Sequence, residues 1–164
     1  MIDVKKYLIV SLIIIPIVFF SACSQKNKSD ISIATIQQIQ RNSVNSTQSN
    51  ALYYFEKNKL NVLIVFSPFQ SPDTDPSDSD FKEKFRKDLE VFNKSFPSDV
   101  LTEEEYQSEF EKEFKNVTFK MNETAKEVVI KGKNVEKTFK MSDSNDKRLI
   151  DSLGNEYELI IDKK

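Results

Sequence analysis

Carboxylates are the side chains of this chain best supplied for chemistry. Asp73, Asp75, Asp78 and Asp80 fall within a stretch that also holds Pro72 and Pro76. Closely spaced aspartates offer the oxygen ligands a divalent cation takes. An EF-hand loop beginning at Asp73 would need Gly at position 78 and Glu at position 84, where this chain has Asp78 and Lys84. Pro76 further restricts wrapping round an ion, so the expectation is a solvated loop whose last acids favour the positive start of the next helix. Glu103, Glu104, Glu105, Glu109, Glu111 and Glu113 form a second acidic run, from which a general acid and base pair could be drawn. They interleave with Lys112, Lys115 and aromatic residues, as the exposed face of a helix does. The chain has no histidine, which removes the usual general base, the Ser-His-Asp arrangement and most zinc chemistry. Its two glycines, Gly132 and Gly154, cannot build a phosphate loop. No catalytic residue, metal ligand or cofactor is assigned, and an enzyme is not expected.

Cys23 is the sole cysteine. Lys5 and Lys6 precede an almost unbroken apolar run over residues 7–20, closed by Ser21, Ala22 and Cys23. A basic start, a short apolar core and small residues make a secretory signal. Ordinary cleavage wants a small residue where Phe20 stands. A large residue, two small ones and then cysteine resembles the lipobox of bacterial lipoproteins, with Phe20 where that family most often has Leu. The resemblance covers residues 1–24. It implies a diacylglyceryl group on the Cys23 sulfur, cleavage before Cys23 and acylation of the new amine. Two or more chains anchor stably, where one is marginal. An uncleaved spanning helix needs about 20 apolar residues, and the stretch here is shorter and contains Pro16. Ser24 after the cysteine resembles lipoproteins sent to the outer membrane in cells that have two membranes.

Composition narrows the partners. The chain carries 24 basic and 26 acidic side chains, both signs mixed. Loss of residues 1–22 removes Asp3, Lys5 and Lys6 and leaves the balance slightly more acidic. That argues against nucleic acid, which wants a concentrated basic face, and against electrostatic docking on anionic lipid. With Cys23 lipidated no disulfide is available, so 13 Phe and five Tyr must supply the packing.

Residues 1–22 are thus expected to be a signal peptide, 23–50 a polar tether and 51–164 a single domain. Ile33, Ile36, Gln40 and Val44 have roughly helical spacing, so the tether is expected to contain a weak helix near 31–43. Residues 52–67 read as a β-hairpin turning at Lys57, Asn58 and Lys59, its second strand nearly all apolar and expected to be covered on both faces. Phe81, Phe85, Leu89, Phe92 and Phe96 share one helical face that ends before Pro97. Thr102 and Glu105 suggest a capping box for a second helix carrying Tyr106, Phe110 and Phe114. Residues 117–162 alternate as an antiparallel meander, with Gly154 and Asn155 suited to a tight turn. Lys126, Lys131, Lys133, Lys137 and Lys140 read as charges that keep sheet edges from pairing with other strands.

The expected fold is therefore α+β: an antiparallel sheet of about five to six strands, hairpin plus C-terminal meander, packed against a helical pair. A small closed barrel with a helical insertion is the alternative. The expected function is a lipid-anchored, non-catalytic binding module outside the cytoplasm, in the cell membrane or outer membrane. Its partner would be an envelope or surface protein, a glycan or a lipid. An apolar-ligand carrier, with the aromatic stripes lining a cavity, is the second reading.

Overall fold

The computed structural model describes residues 31–66, 79–102 and 109–162. The strands are β1 (Ile33–Gln40), β2 (Gln48–Glu56), β3 (Lys59–Phe66), β4 (Glu109–Lys115), β5 (Thr118–Asn122), β6 (Glu127–Gly132), β7 (Val135–Ser142), β8 (Asn145–Ile150) and β9 (Glu156–Asp162). One helix, α1 (Ser79–Ser95), stands between β3 and β4. All the strands join in one sheet of order β4-β3-β2-β1-β9-β8-β7-β6-β5, every neighbouring pair antiparallel. The expected sheet packed against a helical pair is therefore corrected to a curled, half-barrel antiparallel sheet with one helix among the described residues.

Two segments account for the difference. Residues 33–40, expected within a weakly helical tether, form β1, a central strand paired with both β2 and β9. Residues 109–115, expected on a second helix, form β4, which pairs with β3 from Lys59↔Lys115 to Val65↔Glu109. The hairpin at 52–67 and the C-terminal meander do form, as β2–β3 and β5–β9. β3 is buried on its inner face, while on the other Lys59 and Asn61 are exposed and Leu63 and Val65 half-buried, rather than fully covered on both.

The sheet order makes its two edges continuous. An odd number of strands with antiparallel neighbours throughout leaves the first and last, β4 and β5, running the same way. Only Asn116 and Val117 separate them, so they are one long strand that changes partner midway, from β3 to β6. Asn116 supplies the bend at φ 57°, a left-handed conformation that Asn tolerates. Val117 N donates to Asn58 O at 2.9 Å, which ties the bend to the β2–β3 turn. A Cβ on Gly132 would sit 3.2 Å from side-chain carbons of Val117 and Val135, so the β6–β7 turn needs glycine to approach the bend.

The inner face alternates apolar along each strand, the period that places every second side chain on one side. Ala34, Ile36, Tyr53, Phe55, Leu60, Val62, Val128, Ile130, Phe139, Leu149, Tyr157 and Leu159 are buried there. α1 lays Leu89 and Phe92 against this face, and Phe96 follows just past its end: Phe92 meets Phe66 and Phe110 at ring separations of 5.9 and 4.8 Å, and Phe96 meets Phe114 at 5.4 Å. The aromatic stripe of α1 is thus core at its C-terminal half. Phe81 and Phe85, half-buried, stack on each other at 6.4 Å. Past α1, Asn93 holds the chain with a reciprocal pair: its Nδ2 donates to Leu101 O and its Oδ1 accepts from Leu101 N.

Candidate functional site

A buried polar cluster interrupts the apolar interior. It gathers where the β1–β2 loop (residues 41–47), the β8–β9 turn (151–155) and the middle of α1 come together. Asn42 N donates to Asn155 Oδ1 at 2.9 Å and joins the two loops. Gly154, at φ 82°, lets the β8–β9 turn pass Asn42: a Cβ there would lie 2.5 Å from Asn42 Nδ2.

Asp88 enters from α1. Its carboxylate accepts the Ser46 hydroxyl at 2.7 Å and both the amide and the hydroxyl of Thr47. Burial pushes this carboxyl above the ordinary range, and the bonds from Thr47 and Ser46 oppose that push. Asp88 thus latches the helix to the loop between β1 and β2.

Asp151 stands at the centre. Its Oδ1 accepts from the amides of Leu153 and Asn155 at 2.9 and 3.0 Å, and its Oδ2 from Asn155 Nδ2 and the Tyr157 hydroxyl at 3.2 and 2.9 Å. Gln48 Nε2 donates to Tyr157 Oη at 2.9 Å and to Gln38 Oε1 at 2.8 Å. Asn155 Nδ2 also reaches Ser46 Oγ at 3.3 Å, linking the Asp151 and Asp88 halves. Four donors on one carboxylate satisfy both of its oxygens in an interior that penalises unpaired polar groups.

Lys137 is the cation of the cluster. It lies on the inner face of β7, its side chain 7% exposed, with Nζ 3.7 Å from Asp151 Oδ2 and 5.5 Å from the centre of the Phe139 ring. That ion pair is too long for a hydrogen bond. Burial pulls the amine below the ordinary lysine range, and Asp151 opposes this. Tyr53, Phe139 and Tyr157 wall the site, their ring centres 5.0 to 6.3 Å apart and their planes tilted toward edge-on packing. Burial drives the hydroxyls of Tyr53 and Tyr157 above the ordinary tyrosine range, so both remain protonated donors.

The residues singled out from the sequence lie elsewhere. Cys23 and Asp73, Asp75 and Asp78 are outside the described residues, as are Glu103, Glu104 and Glu105. Asp80 sits in the first turn of α1, paired with Lys84 at 2.8 Å. Glu109, Glu111 and Glu113 are exposed along the edge strand β4 and do not converge on a partner carboxylate. Of the lysines read as edge blockers, Lys126, Lys131, Lys133 and Lys140 are exposed, but Lys137 points inward. The alternation Val135, Lys137, Phe139, Met141 carried that signal, since one register places all four on the same face.

Among the described residues no group of three or more metal-ligating side chains occurs, and no helix is long and apolar enough to cross a membrane. Comparison with family models, with curated proteins and with solved structures returns no match.

Proposed function

We propose that the chain is a membrane-anchored bacterial lipoprotein, lipidated at Cys23, whose half-barrel domain is a non-catalytic binding module of the envelope or cell surface. The observation that carries this reading is the placement of Phe20, Ser21, Ala22 and Cys23 ten residues ahead of β1. Ile31 packs against the core and Ser32 O accepts from Lys57 N at 3.0 Å, so the domain is held from residue 31 onward. The start of β1 lies beside the end of β9, with Ile33 opposite Asp162. The cluster of Asp88, Asp151 and Lys137 lies toward the other end of these two strands, near the β1–β2 loop. An anchor at Cys23 would therefore join the domain at the end opposite the polar cluster.

Binding is favoured over catalysis by the state of the two interior carboxylates. Asp151 accepts four donors and Asp88 three, so both carboxylates are engaged in holding the fold together. The partner is an envelope or surface protein, glycan or lipid.

The test is the intact mass of membrane-extracted protein, wild type beside Cys23→Ala. The expected mass is that of residues 23–164 plus acyl groups, lost in the variant. A full-length or unacylated wild-type mass would overturn the anchor and the function built on it.

A further inference from the structure

Lys137 and Asp151 are placed as nucleophile and electrophile as well as ion pair. Nζ lies 3.7 Å from Oδ2, and both side chains are buried, 7% and 1% exposed. The β7–β8 ladder sets this approach: Lys140 pairs with Ile150, and Asp151 follows directly on the strand beside Lys137. The two oxygens of Asp151 have different partners. Oδ1 accepts from two backbone amides, those of Leu153 and Asn155, an arrangement that receives negative charge building on a carbonyl oxygen. Oδ2, the oxygen paired with the amine, accepts the Tyr157 hydroxyl at 2.9 Å and Asn155 Nδ2 at 3.2 Å. The Phe139 ring lies under Lys137 Nζ, and Tyr53 packs edge-on against Phe139 and Tyr157. All three rings are buried, which keeps bulk water from the pair. Burial also pulls the amine toward its uncharged form, the form that attacks a carboxyl carbon.

We propose that Lys137 and Asp151 join in an intramolecular isopeptide bond, Nζ to Cγ, formed within the folded chain. The ammonium passes one proton to Oδ2, which leaves an amine and a carboxylic acid. Nζ attacks Cγ, and the carbonyl electron pair moves to Oδ1, where the amides of Leu153 and Asn155 hold it. That pair returns as the Cγ–Oδ2 bond breaks. The Tyr157 hydroxyl, already on Oδ2, donates to the departing oxygen and takes back the surplus proton of the new amide nitrogen. An ammonium and a carboxylate become an amide and one water, with no oxidation and no co-reactant. Asp88, the other buried carboxylate, is held by Ser46 and Thr47 and takes no part in the step. The bond staples β7 to the β8–β9 turn in a chain whose sole cysteine leaves no internal disulfide. It is independent of the anchor at Cys23. The titration and stability effects of the Lys137–Asp151 ion pair belong to the chain before this bond forms, and are read on protein whose digest still shows the two residues unjoined.

The test is peptide mapping by mass spectrometry of the full chain, unfolded and digested, which reads Lys137 and Asp151 whatever is attached at Cys23. The expected result is a branched peptide joining the two residues, lighter by one water than its two parts together, and absent from Lys137→Met and Lys137→Arg. Tyr157→Phe keeps the ring and removes the proton carrier, so in freshly synthesised chain its joined fraction is expected to accumulate at least about tenfold more slowly than in the wild type. Wild-type digests in which the two peptides stay separate, at unreduced mass, after prolonged incubation of the folded chain at neutral and alkaline pH would overturn the proposal and leave a plain ion pair. A branched peptide that forms equally fast in Tyr157→Phe would overturn the route through that hydroxyl.

Discussion

Lys137 Nζ stands 3.7 Å from Asp151 Oδ2, and of the two only the lysine depends on the contact. Asp151 keeps its four other donors if Lys137 is removed. The pair is therefore asymmetric under mutation. Asp151→Ala strands a buried ammonium and several donors, and is expected to cost about 3–5 kcal/mol. Lys137→Met replaces the desolvated ammonium with an apolar side chain of similar length, and is expected to be neutral or stabilising by about 1 kcal/mol or more. Urea unfolding of the two variants measures both. A large loss in Lys137→Met would mean that the ammonium is a structural partner after all.

The same cluster sets an unusual dependence of stability on pH. Asp88 holds its proton more tightly folded than at its ordinary 3.8, so its contribution is full below that value and is lost as pH rises through the raised folded pKa. Lys137 holds its proton less tightly folded than at its ordinary 10.5, so the folded state gains stability as pH climbs from the lowered folded pKa toward 10.5. The tyrosines act in the other direction above their ordinary 10.0, where their raised values favour the protonated fold only until the unfolded chain ionises. Subtracting the pH profile of Lys137→Met from that of the wild type is expected to leave a limb that rises with pH on the alkaline side. Subtracting Asp88→Ala is expected to leave one that falls with pH from the acid side. A flat difference in either case would show that the group titrates alike folded and unfolded.

Gly154 is expected to resist substitution although it lies in a surface turn. Gly154→Ala puts a Cβ 2.5 Å from Asn42 Nδ2 at a residue held at φ 82°. The strain adds to the loss of the Asn42–Asn155 link, for a cost of about 1–2 kcal/mol. Gly132→Ala has no positive φ and meets side-chain methyls at 3.2 Å, so its cost is expected to be smaller. Melting temperatures of the two variants rank them.

Phe96→Ala is expected to cost about 3–5 kcal/mol, since Phe96 is 1% exposed and meets Phe92, Phe110 and Phe114 within 5.4 Å. Phe85→Ala, on the same helical stripe but half-buried, is expected to cost less. Equal losses would place both ends of α1 equally deep.

The β-hairpin, α1 and the meander were legible because each repeats one period over several turns or rungs. The two misread segments have patterns that serve both periods. Tyr106, Phe110 and Phe114 are spaced by four, which lies on one helical face and equally on one face of a strand. Phe110 and Phe114 take the second option, sharing one face of β4 with Lys112, whose side chain stays exposed and pairs with Asp99. In β1 the inward residues are Ala34, Ile36 and Gln38. A glutamine in an apolar series reads as surface until its partner is known. Here the partner is Gln48, ten residues on, which meets it across the start of the hairpin. The polar cluster was illegible for the same reason. Asp88 and Thr47 are 41 residues apart, and Ser46 and Asn155 109 apart, so only the closed sheet brings them together.

The rung between Ile33 and Asp162 also has a mechanical meaning. Under the proposed anchor at Cys23, a pull on the chain would run along β1, which is laddered on both sides, to β2 and to β9. Antiparallel ladder bonds lie across the strands, so a force along β1 would load all those rungs sideways at once. A terminal strand at a sheet edge would instead open one rung at a time, like a zip. The first strand among the described residues thus sits inside the sheet, with a neighbour on each side to share any load it carries.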